Sequence, residues 1–151
     1  MQGSVTVPMK ADPERIWELV SDVTRIGAYS PETFEAEWVA PATGPAVGAR
    51  FRGHVKRNGR GPVYWTTCEV TESDPGRVFA FHVLTNGRPT NTWKYELKPG
   101  DGVTEVTESF QLAPVLLLRV YWALAGWARG QTNEQGMRRT LDRIKAQVEG
   151  G

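Results

Sequence analysis

RFRGHVKRNGRGPVYWTTCEVTESDPGRVFAFHVLTNGRPTNTWKYELKPGDGVTEVTESF, residues 50 to 110, carries turn signals at regular intervals: Asn58-Gly59, Asp74-Pro75-Gly76, Asn86-Gly87 and Pro99-Gly100-Asp101-Gly102. Each supplies a positive or a fixed φ, as hairpin loops require. Between the turns lie short runs rich in Val, Thr, Phe, Tyr and Trp that alternate with period two. The stretch reads as an antiparallel meander of five strands, about 49 to 57, 62 to 72, 77 to 84, 91 to 98 and 103 to 111.

Working outward, two more strands fit the same alternation. Ser4 to Met9 sets Val5 and Val7 against Ser4 and Thr6, and Phe34 to Val39 sets Phe34, Ala36 and Trp38 against Glu35 and Glu37. The segment between them is helical. Asp12 is an N-cap with Pro13 at the first helical position, and Ile16, Trp17, Leu19 and Val20 form an apolar stripe. Ser21 or Asp22 opens a second short helix through Ile26, which stops at Gly27 ahead of Ser30-Pro31. At the other end, Pro114 can start a long helix, and Met137, Leu141, Ile144 and Val148 mark its buried face, with Arg138, Arg139, Arg143 and Lys145 off it. Gly126 and Gly130 are places for a break or bend. The fold class is α+β: one strand, two short helices, six strands and a long C-terminal helix, which is the element long enough to cover one face of the curved sheet.

Composition narrows the functions open to such a domain. The chain has 151 residues, a formal net charge of +1, 40% hydrophobic residues, two His and a single Cys. A chain of this size buries roughly two thirds of its unfolded surface and holds a core, even one with a hollow, without staples. Cys68 has no partner for an internal disulfide, and His54 and His82 lie too far apart in sequence for a local metal cluster, so no metal or cofactor is expected. The near-neutral balance lacks the basic footprint of nucleic-acid binders. The N-terminal MQGSVTVPMKADPE has neither the charged nor the apolar region of a signal peptide, which points to a cytoplasmic protein. The stretch 113 to 128 is too short, with Arg119 inside it, to be a transmembrane segment.

Five runs taken together carry a resemblance: VTVPMKADPERIWELVSDVTRIGAYSPE (5–32), VGARFRGH (47–54), WTTCEVTESDPGRVFAFHV (65–83), WKYELKPGDGVTEVTESF (93–110) and GMRRTLDRIK (136–145). In this order and spacing the chain resembles the polyketide cyclase/dehydrase-like branch of the START and birch-pollen-allergen (SRPBCC) superfamily, over nearly its whole length. The resemblance implies a helix-grip fold: a seven-stranded antiparallel sheet wrapped around a long C-terminal helix, with two short helices after the first strand. It also implies one domain over residues 3–149 with a cavity for a hydrophobic ligand. Members bind sterols, lipids, plant hormones or polyketides, some catalyse cyclisation or dehydration, and many bacterial members have no assigned ligand. The fold therefore leaves the activity open. The chain departs from the common pattern in Tyr29, where Trp is frequent, and in the very apolar stretch after Pro114.

Strand alternation assigns inward faces. The inward sets are Phe34, Ala36 and Trp38; Phe51, Gly53 and Val55; Tyr64, Thr66, Cys68 and Val70; Phe79, Phe81 and Val83; and Trp93, Tyr95 and Leu97. A one-residue bulge reverses any of these, and Trp65 beside Tyr64 is ambiguous. Val106 and Phe110 take Glu108 inward with them, as a polar anchor or general acid/base in the hollow, or else as a carboxylate hydrated or paired at its mouth. With Trp127, the residues expected to touch a ligand are Trp38, Phe51, Tyr64, Phe81, Trp93, Tyr95 and Glu108. Trp93 and Tyr95 are cavity lining on the strength of the resemblance; periodicity alone gives plain core packing.

His54 and His82 fall on the outer face, as does the basic run Arg50, Arg52, Lys56, Arg57 and Arg60. Cys68 reads as a small hydrophobe rather than a nucleophile. The apolar stretch 115–127 reads as a lid or cavity wall, a homodimer patch, or a transient membrane contact. Two functions follow as expectations: binding or carriage of a small hydrophobic molecule, lipid or polyketide-like, and a polyketide cyclase/dehydratase-type enzyme in which Glu108, Tyr64 or Tyr95 assists proton transfer. A third, interaction-only reading needs a large exposed apolar helix surface.

Overall fold

The strands form a single seven-stranded antiparallel sheet in the order β1-β7-β6-β5-β4-β3-β2. They are β1 (Gln2–Met9), β2 (Thr33–Trp38), β3 (Arg50–Lys56), β4 (Val63–Asp74), β5 (Val78–Thr85), β6 (Arg88–Pro99) and β7 (Thr104–Leu112). The computed structural model describes residues 2–56, 63–112 and 134–150. From β2 to β7 every strand pairs with its sequence neighbour, and β1 closes on β7, with Val5 opposite Glu108. Because β1 and β2 lie at opposite edges, the chain between them must cross the sheet, which is the task of helix α1 (Pro13–Ser21) and a 3₁₀ helix (Val23–Ala28). Helix α2, residues 134–150, lies at the C-terminal end of the described chain.

The turn signals act as expected where they are described. Asn86 (φ 53°) and Gly87 (φ 77°) both take left-handed backbone, the conformation of a two-residue hairpin turn, so β5 and β6 pair up to Thr85 and Arg88. This makes β6 longer than the expected 91 to 98. Gly76 and Gly102 supply positive φ in the two neighbouring turns. Asn58-Gly59, the expected helix start at Pro114, and Gly126 and Gly130, expected to break or bend that helix, lie outside the described residues.

Local chemistry departs from expectation at three points. Asp12 occupies the N-cap position of α1, but its side chain makes no capping bond; its carbonyl accepts from the Ile16 N–H at 3.2 Å. Asp22 does cap, accepting from the Thr24 N–H at 3.1 Å, and it opens a 3₁₀ helix that runs through Gly27 to Ala28 rather than stopping at Gly27. The third is a bulge between Thr33 and Glu35 in the β2–β3 pairing. It turns Phe34 outward, against the inward expectation, to stand 46% exposed with its ring 4.4 Å from that of His54. Ala36 and Trp38 remain on the core side, packed against the buried cluster.

Gly27 is fixed by close approach, not by an unusual φ. A Cβ there collides with the Phe34 carbonyl oxygen and comes within 2.9 Å of its carbon. The obstacle is backbone, so relief requires separating the 3₁₀ helix from β2. Gly27→Ala is expected to lower the unfolding free energy by about 2–3 kcal/mol or more, read as a reduced urea midpoint. An unchanged midpoint would refute this packing.

The core lies at one end of the sheet. Met137, Leu141, Ile144 and Val148 are buried as the spacing requires, while Arg138, Arg139 and Arg143 are exposed. Around them pack Val7, Met9, Ile16, Leu19, Phe79 and Leu97. Trp17 is only partly buried, and its indole N–H donates to the Val78 carbonyl at 2.8 Å, tying α1 to β5. Burial then fades along each strand towards the other end. On β4 the inward positions run from buried Val70 and Cys68 through half-buried Thr66 to Tyr64 at 40% exposure. On β5 they run from buried Phe79 to half-buried Phe81 and Val83, and on β6 from buried Leu97 and Tyr95 to half-buried Trp93.

The outer face is laced by cross-strand ion pairs. Arg50 bonds Glu69 at 3.0 Å, Arg52 bonds Glu37, and His54 Nδ1 meets Glu35 Oε1 at 2.7 Å. Trp65 lies on this face, stacked on His54 at 4.2 Å with Arg52 above it at 4.5 Å, which resolves the Tyr64/Trp65 ambiguity in favour of Tyr64 inward. Such exposed pairs contribute little individually. Arg57 and Arg60 of the basic run lie outside the described residues.

Candidate functional site

The end of the sheet where burial fades encloses a cavity of about 390 Å³. Its walls come from the concave faces of β3 to β7, from the segment 30–33 after the 3₁₀ helix, and from the first turns of α2 at Gly136, Met137 and Thr140. Of the residues expected to touch a ligand, Phe51, Tyr64, Phe81, Trp93, Tyr95 and Glu108 line it. Trp38 does not. It lies opposite Phe51 on the edge strand β2, its ring edge-on to Phe51 at 5.7 Å, and packs against the core instead. Trp127, together with the stretch 115–127, lies outside the described residues.

The apolar part of the wall is held by aromatic contacts. Phe51 and Phe81 meet edge to face at 5.0 Å, and Trp93 lies 5.3 Å from Phe110. Such pairs prefer offset or edge-on geometry and fix one another's rotamers. Polar residues make up half of the lining, and several are engaged within the protein. Thr140 donates to the Gly136 carbonyl at 2.8 Å, Thr66 leans on the Gly53 carbonyl at 3.4 Å, and the Ser30 hydroxyl accepts from the Thr33 N–H at 3.0 Å.

Glu108 is the exception. It is 4% exposed, directly opposite Tyr95 in the β6–β7 pairing, and it lines the cavity. Burial raises its carboxyl from the ordinary 4.5 to about 8, against the opposing effect of a hydrogen bond from the Tyr95 hydroxyl. Its Oε1 is buried without any hydrogen-bond partner. The same burial, with Glu108 nearby, pushes the Tyr95 hydroxyl well above the usual tyrosine range.

Tyr29 joins this group and is the residue that sequence reasoning missed. It is 1% exposed, and burial, followed by the charges of Glu108 and Asp22, raises its hydroxyl far above the ordinary value. That hydroxyl lies 3.4 and 3.5 Å from the carbonyl oxygens of Val20 and Leu19, long for hydrogen bonds. A single tyrosine capping the end of a 3₁₀ helix belongs to no periodic stripe. The only signal for it was its departure from the Trp common at this position in the resembling proteins.

Burial raises the Cys68 thiol to about 12, so it stays protonated as part of the wall and is no nucleophile. His54 and His82 both sit on the outer face, with Glu35 and Glu69 respectively, away from the cavity. Among the described residues no cluster of His, Cys, Asp and Glu is arranged to hold a metal ion, and no helix is long and apolar enough to cross a membrane.

Comparisons with known proteins agree with this architecture. The sequence model of a family described as polyketide cyclase / dehydrase and lipid transport matches residues 1–149. A solution structure of a polyketide-cyclase-like protein from Corynebacterium glutamicum is similar at 27% identity and a TM-score of 0.60, covering 98% of this chain and 91% of that one. A crystal structure from Deinococcus radiodurans is similar at 18% identity and a TM-score of 0.70, with both chains fully covered. The di-domain ARO/CYC BexL from the BE-7585A biosynthetic pathway matches at 19% identity and a TM-score of 0.67, covering 99% of this chain and 46% of BexL. No curated protein matches the chain.

Proposed function

This chain belongs to the polyketide cyclase/dehydrase and lipid transport family, and from that membership we propose that it binds one small, largely apolar molecule in the cavity, as a carrier or binding protein. The observation that carries this reading is a space of about 390 Å³ walled by Phe51, Phe81 and Trp93, with Glu108 and Tyr95 as its buried polar point. Small-molecule pockets are typically about 300–1,000 Å³, mainly apolar, with few polar groups that set orientation. A half-buried aromatic wall on an otherwise packed sheet leaves apolar area exposed, which a ligand removes from water.

Native mass spectrometry of the purified protein, alone and with added aromatic hydrocarbons or ketones, tests the reading. A one-to-one complex is expected. Val83 lines the cavity from β5, and Val83→Trp fills it from that side. The variant should stay folded yet lose about tenfold or more in affinity, since overpacking costs about 1–3 kcal/mol and each 1.4 kcal/mol is a factor of ten. Unchanged binding by Val83→Trp would place the ligand elsewhere.

A second reading, a cyclase/dehydratase-type enzyme, is favoured by one observation. The Glu108 carboxyl, raised to about 8 beside Tyr95, is in the range where a general acid/base works near neutral pH. It predicts that Glu108→Gln stops turnover of a polyketide-like substrate while leaving its binding intact. Retained turnover in that variant would leave the carrier reading alone.

A further inference from the structure

The cavity reaches the surface at the end of the sheet where β4 and β6 begin, since Tyr64 and Thr85 line it and are exposed. Basic side chains gather round this end. Lys56 is the last residue of β3, opposite Val63 at the start of β4; Arg88 is the first residue of β6, opposite Thr85; and Arg138 and Arg139 follow the lining residues Gly136 and Met137 in α2. All four are exposed, and among the described residues none of them makes an ion pair, whereas Arg50, Arg52, Lys94 and Lys145 do. Against them stand Glu32 in the cavity wall, Glu134 at the start of α2 and Asp142 a turn beyond the two arginines. Acidic groups collect at the other, closed end: Asp12 and Glu14 where α1 begins beside the β4–β5 turn, Asp74 in that turn, Asp101 in the next, and Glu105 opposite Lys98. The net charge of +1 therefore hides a separation of charge along the strands.

We infer that this end docks on the surface of an anionic phospholipid bilayer, with the mouth of the cavity against the headgroups. Exposed apolar groups accompany the charge. Val63, Tyr64 and Trp65 at the start of β4 are exposed, and so is Phe34 near the start of β2. Cations interleaved with exposed rings suit a bilayer interface, where the charges meet lipid phosphates and the rings sit among the headgroups. Charge alone suits an acidic protein equally well; the apolar groups beside it favour lipid.

The sequence joined to this end has the same character. Residues 57–62, between Lys56 and Val63, and residues 113–133, after β7 and before α2, contain Arg57, Arg60, Arg119 and Arg129 and no Asp or Glu, and the second run includes the apolar stretch 115–127. Docking needs only the rim. That an apolar ligand then passes between bilayer and cavity without crossing water rests on the binding reading above.

Co-sedimentation of the full chain with vesicles of phosphatidylcholine alone, or with about 30 mol% phosphatidylserine, at about 0.1 M salt tests the inference. Binding to the anionic vesicles should be about tenfold or more tighter than to the neutral ones and should be largely lost at about 0.5 M salt. Each Lys or Arg held near such a surface contributes about fivefold in affinity, so Arg138→Gln with Arg139→Gln should weaken binding about tenfold or more. Lys56→Gln with Arg88→Gln, on other elements of the same rim, should act likewise. Arg77→Gln with Lys98→Gln removes the same charge from the closed end. Lys98 lies about 33 Å along β6 from Arg88, beyond a Debye length of about 10 Å, so this variant should bind within about twofold of wild type. No binding to the anionic vesicles, equal binding to the neutral ones, or equal losses from the two ends overturns the inference. So does binding to soluble poly-glutamate with none to vesicles, which assigns the rim to an acidic protein. None of these outcomes bears on the ligand reading, which native mass spectrometry decides separately.

Discussion

The unfolding free energy of the wild-type protein should fall as pH rises from about 4.5 to about 8, and Glu108→Gln should abolish most of that fall. Glu108 takes up its proton at about 8 when folded and at the ordinary glutamate value of 4.5 when the chain is open. Between those values the folded state holds one more proton than the unfolded state, so raising the pH favours unfolding. Below 4.5 the carboxyl is neutral in both states and its effect on stability is constant; above about 8 it is ionised in both, and the loss is complete.

Each pKa unit is 1.36 kcal/mol, so the loss is of order 3–5 kcal/mol. That is a large share of the roughly 5–15 kcal/mol that stabilises a typical domain. Gln preserves the shape and an oxygen to accept the Tyr95 hydroxyl, and it stays neutral throughout. Urea melts of both proteins from pH 4.5 to 9.5 supply the measurement. The difference between the two profiles cancels every other titrating group. Parallel profiles would show that Glu108 is not a buried, uncompensated carboxyl.

The second large effect separates packed core from cavity wall on a single strand. Phe79 and Phe81 both face inward from β5, with ring centroids 5.9 Å apart, but Phe79 is fully buried whereas Phe81 is half-buried and borders the cavity. Phe79→Ala opens a hole among atoms that have nowhere to move and should destabilise by about 3–5 kcal/mol. Phe81→Ala removes a side chain already beside empty space, so the lost contacts are fewer and the cost should be well under half of that. The phenotypes should also cross over. Phe81→Ala weakens binding of an aromatic ligand, while Phe79→Ala, where it folds, leaves the cavity wall in place. Chemical denaturation of both variants decides the matter, and equal losses would mean that the concave face is uniformly packed with no hollow behind Phe81.

Much of the fold could be read from the chain because short-range rules act within each strand. Asn86-Gly87 demands left-handed backbone and receives it, and the Met137, Leu141, Ile144, Val148 spacing makes one helix face whatever it packs against. The inward sets on β3 to β7 followed from alternation, which placed Phe51, Tyr64, Phe81, Trp93, Tyr95 and Glu108 on the concave side. Phe34 escaped because a bulge changes parity by one residue, and its position depends on pairing with β3, not on the local sequence. Trp38 escaped for a related reason: facing inward does not mean reaching the cavity, and on the edge strand β2 it packs against Phe51 and the core instead.

What the sequence determined by itself is the class of fold and the sidedness of its strands, since turn chemistry and hydrophobic period are properties of a few consecutive residues. What only the tertiary structure decided is where the concave face closes into core and where it stays open, and that Glu108 and Tyr95 stand opposite one another there with buried Tyr29 near enough for their charges to act on one another. Those three come from β7, β6 and the residue that follows the 3₁₀ helix, brought together by sheet pairing and by the chain's crossing between the two edges. The energetics of the site are likewise a tertiary matter. A glutamate in a sequence has an ordinary affinity for its proton, and it is removal from water with one oxygen unpartnered that makes Glu108 a neutral group in the cavity wall.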